Sequence, residues 1–187
     1  MAELPPPPMP PALADCLTTF QSPDGMVSQP SPSTLLRSLD GKMRVDLGAT
    51  SVITNPQDAV VILLDHLKME ARLLPMSPGS VPVPGMPNLP GGSLQAEAAL
   101  PGNVEDLGKS LIQGIEAVGK RYTLPQLPGE TLPPTVAEVW TCTATQLPVM
   151  SKITGAFGVR TSICKTAPVA DPPQASFQIP AGYRQLP

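Results

Sequence analysis

The chain has 187 residues, of which 41% are hydrophobic and only 14% charged, with 27 prolines and 15 glycines. This length gives room for one domain with appended arms, and a net charge of −3 provides no basic stripe for nucleic acid. No apolar run reaches the roughly 18 residues that span a bilayer, and no signal peptide is visible.

The N-terminal residues 1–14 (MAELPPPPMPPALA) predict an extended polyproline arm, which has no internal hydrogen bonds and serves for spacing or docking. Residues 15–187 are predicted to form a single β-rich domain, interrupted by a Pro/Gly-rich loop at residues 75–92. Loops of that length are typical of binding or disordered segments. The arm's prolines are the candidate partner-docking residues: Pro5, Pro6, Pro7, Pro8, Pro10 and Pro11.

After the arm, runs of strand length alternate with turn residues. The run AVVILLDHL is continuous, apolar and β-branched, as in a central strand covered on both faces. In the second half, TVAEVWTCTAT, LPVMSKIT and GVRTSICKTA each have the length of one strand. Signals for helix are few. The pattern therefore predicts a mainly β, mostly antiparallel domain.

Motifs for catalysis or cofactor binding are weak. Gly108, Gly114 and Gly119 are too far apart for a dinucleotide-binding loop, and we interpret them as turn or bulge glycines. His66 follows Asp65, but the sequence has no Gly-x-Ser-x-Gly, so we interpret this histidine as a turn or surface residue. We predict no catalytic residues, no enzyme activity, no metal site and no cofactor.

Several short motifs occur in a characteristic order: FQSPDGMV, RSLDGKMRVD, EDLGKSLIQGIEAVGKRY, AEVWT and the terminal FQIPAGYRQL. This series resembles a group of uncharacterised secreted bacterial β-rich proteins. It is broadly similar to the LolA/LolB-like lipoprotein carriers, whose fold is a curved antiparallel sheet forming an open half-barrel around an apolar cavity. The resemblance covers about residues 17–185. It implies export, and hence a periplasmic, outer-membrane-associated or extracellular location.

Three cysteines leave one unpaired in an exported protein. Cys142 and Cys164 lie on predicted strands that are consecutive or nearly so. Antiparallel pairing of those strands would bring the two within disulfide distance, so we predict this bridge. The alternative is two buried free thiols. Cys16 is left over as a lipid-bearing cysteine, an intermolecular bridge or an inert thiol.

Two non-catalytic functions fit these features. The first is a structural or interaction subunit of an extracytoplasmic assembly, which docks onto other protein subunits through the Pro-rich arms and the sheet edges. The second is a carrier of an acyl chain, lipid or other apolar ligand, with a lipid or membrane surface as a partner. Strand alternation suggests apolar residues for the carrier's cavity: Val61, Leu63, Ile115, Val139 and Ile153. No nucleic-acid partner is expected.

Overall fold

A computed structural model describes residues 9–76, 103–123 and 132–186. They form one open sheet of twelve strands, which confirms the predicted mainly β class. The strands in chain order are β1 (Ala12–Gln21), β2 (Ser31–Arg37), β3 (Met43–Asp46), β4 (Thr50–Asn55), β5 (Val60–Asp65), β6 (Glu70–Pro75), β7 (Asn103–Ile112), β8 (Ile115–Thr123), β9 (Val136–Cys142), β10 (Pro148–Gly155), β11 (Gly158–Pro168) and β12 (Arg184–Leu186). A short 3₁₀ helix, Gln174–Phe177, lies between β11 and β12.

The order of strands across the sheet is β12-β6-β5-β4-β3-β2-β1-β11-β10-β9-β8-β7. Neighbours are antiparallel, except that β12 runs parallel to β6. β1 lies between β2 and β11, so the first strand of the chain joins the two halves of the sheet.

The register of the strands assigns each side chain to one of two faces. Directly opposite residues on paired strands project from the same face, and successive residues alternate between faces. We call the face that carries Cys16 and Cys164 the disulfide face. The opposite face, which carries Leu17 and Ile163, is the groove face.

Local sequence explains both the strands and their turns. In β1 the side chains of Ala12, Ala14 and Cys16 are buried, whereas Leu17 is 55% exposed, so alternation follows the two faces. The turn between β7 and β8 is Gln113–Gly114, with φ of 53° and 81°. A two-residue hairpin of type I′ requires positive φ at both positions, and glycine adopts it without a steric penalty.

Each face of the sheet has its own core. The disulfide-face core consists of small and aliphatic residues from β1, β2, β11 and the β9–β10 loop: Ala12, Ala14, Cys16, Leu35, Leu147 and Cys164. The groove-face core under the C-terminal segment comprises Ile53, Ile62, Leu64, Ala71 and Phe177. A smaller groove-face cluster at the other end contains Ala117, Cys142 and Val149, with Trp140 packed against it.

The predicted boundary between arm and domain is wrong at residue 14. β1 begins at Ala12, and both Ala12 and Ala14 are fully buried, because they face the disulfide-face core. The carbonyl of Pro10 accepts hydrogen bonds from Arg37, and that of Pro11 accepts one from the Val169 amide at 3.2 Å.

The backbone of these two prolines is therefore held within the domain itself. The other docking prolines, Pro5 to Pro8, lie outside the described residues. So does the proline tract from residue 77 onward, whereas Pro75 ends β6.

The predicted Cys142–Cys164 disulfide is also wrong. Cys164 is bonded to Cys16, its direct neighbour across the β1–β11 pair, with a sequence separation of 148 residues. Cys142 is a buried free thiol. The prediction failed because β10 separates β9 from β11, while the N-terminal strand, which reads in the sequence as the arm's end, pairs with β11.

The described residues include no helix long and apolar enough to cross a membrane.

Candidate functional site

A cavity of about 470 Å³ opens on the groove face, above the centre of the sheet. We call it the β1–β11 groove. Leu17 and Ile163, which are directly opposite each other, form its apolar middle and are both exposed. Its other lining residues come from the same two strands, from β2 and from two loops: Asp15, Cys16, Thr19, Pro30, Pro32, Ser33, Thr34, Gln113, Thr161 and Lys165.

Polar residues close both ends of this apolar middle. At one end Asp15 lies opposite Lys165, and the hydroxyl of Thr34 donates to the Asp15 carboxylate at 3.1 Å. At the other end Thr19 lies opposite Thr161. Such a volume and an apolar middle with polar ends are typical of a site for a small ligand or an inserted side chain.

None of the five residues predicted to form an apolar cavity lines this groove. The register places Val61 and Leu63 on the disulfide face of β5, and Val139 and Ile153 on the same face at the other end of the sheet. Ile115 projects from the groove face, so including it in the set is wrong. Alternation shows which residues of one strand share a face. Which of those residues share a face with residues of another strand depends on the register between the strands, which the sequence does not show.

Within the described residues, the edge of the sheet at β7 is open. β7 pairs with β8 on one side, and among the described residues no strand pairs with its other side. A bulge between Asp106 and Gly108 divides it, and the Gly108 amide donates to the Asp106 carboxylate at 2.7 Å. Because of that bulge, four exposed side chains lie on the disulfide face: Val104, Asp106, Lys109 and Leu111.

The opposite edge is covered by the C-terminal segment. Its strand β12 has only three residues and pairs with β6. The Arg184 amide donates to the carbonyl of Met69 at 2.8 Å, and the Arg184 guanidinium pairs with Glu70. A very short added strand is one of the ways in which natural sheets protect an edge.

His66 belongs to this covered edge. Its Nε2 lies 2.6 Å from the Ser51 hydroxyl, and its Nδ1 is hydrogen-bonded to the hydroxyl of Tyr183 in the C-terminal segment. Ser51 is fully buried, so this serine is not presented to a substrate. Asp65, next to His66, instead accepts the amides of Leu67 and Lys68 at 3.0 Å. The contacts fit the predicted turn histidine.

The described residues hold no group of three His, Cys, Asp or Glu side chains arranged for a metal ion. The predicted absence of enzyme activity and cofactors stays a prediction.

Arg37 is a buried cation held by uncharged acceptors. Its guanidinium donates to the carbonyl of Pro10 at 2.7 Å, to that of Gln146 at 3.3 Å and to that of Thr145. Desolvation by burial lowers the pKa of Arg37. The residue therefore fixes the start of β1 and the β9–β10 loop to β2, and its role is structural.

No protein-family model and no curated protein matches the sequence. Solved structures do match. An uncharacterized conserved protein from Thermus thermophilus superposes with a TM-score of 0.58 at 9% identity, over 95% of this chain and 90% of that one. MucB superposes with a TM-score of 0.50 at 15% identity, over 92% of this chain. The chain spans 58% of the length of MucB.

A LolA superfamily protein from Nitrosomonas europaea also matches, with a TM-score of 0.45 and 9% identity over 91% of each chain. The predicted likeness to the LolA-like fold is confirmed by MucB, which shares that fold. At these identities the likeness concerns the fold alone.

Sequence reasoning missed the groove, whereas the bulge beside Gly108 agrees with the interpretation of that glycine as a turn or bulge residue. Leu17 directly follows the buried Cys16, and Ile163 directly precedes the buried Cys164. Alternation around these two cysteines was therefore the available signal for the groove.

Proposed function

We propose that this chain is a non-enzymatic, extracytoplasmic interaction subunit that associates through the β7 edge of its sheet. The supporting observation is that β7 is a ten-residue edge strand left unpaired on one side among the described residues. An unpaired edge offers backbone donors and acceptors to an added strand. MucB, which shares the fold, has been solved in a complex with MucA, which is a precedent for protein partners.

The side chains of β7 favour a second copy of this chain as the partner. If two β7 strands pair antiparallel about a two-fold axis at the bulge, Asp106 of each copy lies opposite Lys109 of the other. The same register places the exposed Val104 opposite the exposed Leu111. All four project from the disulfide face, so one ion pair and one apolar pair occur twice, as two-fold symmetry requires.

The disulfide supports the extracytoplasmic location. Bridges such as Cys16–Cys164 persist in oxidising compartments and are rare in the cytosol. The predicted resemblance to secreted proteins points to the same compartment.

The association is tested by sedimentation velocity and native mass spectrometry of the full chain over a range of concentrations. We expect a dimer for the wild type. Leu111→Lys should weaken dimerisation by about tenfold or more, because it replaces an apolar pair with a charge at a sheet edge. Lys109→Asp should weaken it as well, because it places a carboxylate opposite Asp106 of the other copy.

The matched control is Leu67→Lys. Leu67 is 83% exposed in the β5–β6 turn, near the covered edge, so this variant should dimerise as the wild type does. A wild type that stays monomeric at its highest soluble concentration would contradict the proposal, as would a Leu111→Lys variant with unchanged association.

The N-terminal arm remains a proposed second docking element. Its test is the deletion of residues 1–8 only, because a deletion to residue 14 would also remove the buried Ala12 and Ala14. If the arm lies along a neighbouring subunit, the truncated chain should dissociate at higher concentration than the full chain. Identical dissociation constants would remove the arm from the proposal.

The β1–β11 groove favours a second candidate function, the binding of a small apolar ligand. Its apolar pair, Leu17 and Ile163, is exposed within a cavity of about 470 Å³. A fluorescent apolar probe, N-phenylnaphthylamine, should bind the wild type, and Leu17→Asp should weaken this binding severalfold. Leu73→Asp is the control, since Leu73 is also exposed on the groove face but on β6. Equal binding by both variants would exclude the groove as the site.

A further inference from the structure

The disulfide face contains an arginine that has no partner among the described residues. Arg160 lies on β11, directly between Phe20 of β1 and Ile153 of β10. Its Nε is buried and lacks a hydrogen-bond acceptor there. Within the part of the chain that the structure describes, the guanidinium makes no ion pair either, in contrast to Arg44 and Arg121.

Burial without a partner has a cost that needs an explanation. The desolvation of Arg160 lowers the pKa of its guanidinium, so the surroundings oppose the charge. Buried polar groups in native proteins are nearly always hydrogen-bonded, and an exception often marks a functional site or a bound ion. Arg37, in the same sheet, is buried with its hydrogen bonds satisfied, since its guanidinium donates to carbonyl groups of the protein.

A row of hydroxyl groups runs beside Arg160 on the same face. The register aligns one hydroxyl from each of four adjacent strands, two residues along from the arginine: Ser151, Ser162, Thr18 and Ser31. The Thr18 and Ser162 hydroxyls are 2.6 Å apart and hydrogen-bonded. Only one proton is used in that bond, so the accepting hydroxyl keeps its own proton for another acceptor.

The position thus combines a cation, a hydroxyl donor and an exposed apolar side chain. A guanidinium is the side chain best suited to carboxylate and phosphate oxygens, which it can bind through two parallel hydrogen bonds. Phe20, which lies opposite Arg160 on β1 and is 37% exposed, provides contact for an apolar body rather than for a bare ion. We propose that Arg160 and the hydroxyl row bind a ligand carrying a carboxylate or phosphate group on an apolar body.

The proposal concerns the disulfide face and is independent of both the β7 pairing and the groove. It is tested by titration calorimetry of the full chain with dodecanoate, dodecyl phosphate and dodecanol. These probes share a chain and differ in the head group. We expect at least one of the two anions to bind about tenfold or more tightly than the alcohol, because charged hydrogen bonds are the strong ones.

In the variant Arg160→Met, the ratio of the anion's affinity to the alcohol's affinity should fall to about one. Lys152→Met is the matched control, since it removes one positive charge from an exposed lysine on the groove face of the neighbouring strand β10. It should keep the wild-type preference. The anion that binds more tightly identifies the head group.

A direct readout does not depend on any variant. The Nε–H resonance of Arg160 in a ¹⁵N correlation spectrum should shift on addition of the preferred anion and stay unchanged with dodecanol. The proposal is overturned if neither anion binds in preference to the alcohol, if Arg160→Met keeps the preference, or if this resonance does not move. An arginine satisfied by internal water alone would give that last result.

Discussion

The two edges of the sheet differ in how they end. At the β6 edge the chain returns after β11, packs Phe177 onto the groove face and adds β12 as a three-residue strand. At the β7 edge a ten-residue strand with exposed side chains has no such cover among the described residues. The protein thus uses its own C-terminal segment to protect one edge. The β7 edge, which no described residue covers, is the one whose side chains are complementary to those of a second copy.

The halves of the sheet also differ in how they are packed. Beneath the C-terminal segment, Ile53, Leu64 and Phe177 form a buried groove-face core. In the β7–β9 half, the groove-face cluster is smaller, and Trp140 is only partly buried. Burial of apolar area is the main source of stability. We therefore expect the covered half to contribute more to the free energy of unfolding than the open half.

The largest effect should come from the covered half. Phe177→Ala removes the aromatic ring that is 3% exposed beneath the C-terminal segment, and should lower the free energy of unfolding by about 3–5 kcal/mol. Denaturant unfolding measures this loss. The control Leu67→Ala, at a position that is 83% exposed, should change stability by less than about 0.5 kcal/mol. Equal losses in the two variants would show that the C-terminal segment is not part of the folded core.

The next effect concerns the junction between the halves. Replacing both Cys16 and Cys164 with alanine should lower the free energy of unfolding by about 2–4 kcal/mol, because the bridge closes a long loop in the unfolded chain. Thiol titration of the unfolded, unreduced protein should find one reactive cysteine, and peptide mapping should identify it as Cys142. Labelling of Cys16 instead would restore the bridge predicted from the sequence.

A smaller effect is expected in the open half. A Cβ atom at Gly119 would lie 2.7 Å from the ring of Trp140, so Gly119→Ala should cost about 1–3 kcal/mol through overpacking. Adding Trp140→Leu should recover part of that cost, since the ring is what the new methyl group meets. A double-mutant cycle in denaturant measures the coupling. No coupling between the two sites would mean that the ring does not lie over this glycine.

The smallest effect belongs to a polar link between the β2–β3 turn and the 3₁₀ helix. Hydrogen bonds from Lys42 and Ser38 lower the pKa of Asp40 from 3.8 to about 2. Gln174 also donates to Asp40, at 3.4 Å. Because the folded-state pKa is the lower one, this contribution is complete above pH 3.8 and is lost as the pH falls through about 2.

Asp40→Asn should therefore lower stability at pH 7 by less than about 1 kcal/mol, as for exposed pairs generally. The difference from the wild type should vanish as the pH falls through the folded-state pKa of about 2. Thermal unfolding at several pH values measures it, and a difference that stays constant with pH would assign the effect to something other than this charge.

The sequence predicts the fold class well and the site poorly, for one physical reason. Alternation within a strand reports which residues share a face, and turn residues report where strands end. Neither reports which strands are neighbours. The buried Ala12 and Ala14 show this limit, since a strand that pairs with β11 at the other end of the chain reads locally as the end of a proline arm.

The cysteines and the predicted cavity failed for that same reason. Cys142 and Cys164 are close in sequence order but lie on strands separated by β10. Ile115 follows the alternation of its own strand but projects from the opposite face of the sheet to Val139. The apolar character of these residues was predicted correctly, whereas their relative placement depends on strand order and register, which are set by contacts between distant parts of the chain.

Hydrogen exchange of the full chain at low and high protein concentration tests most directly whether the β7 edge accepts a strand from a second copy. Amides within residues 103–112 should become protected as the concentration rises, while those of β6 and β12 should exchange at unchanged rates. Exchange in β7 that is the same at both concentrations, with or without association elsewhere, would contradict this pairing.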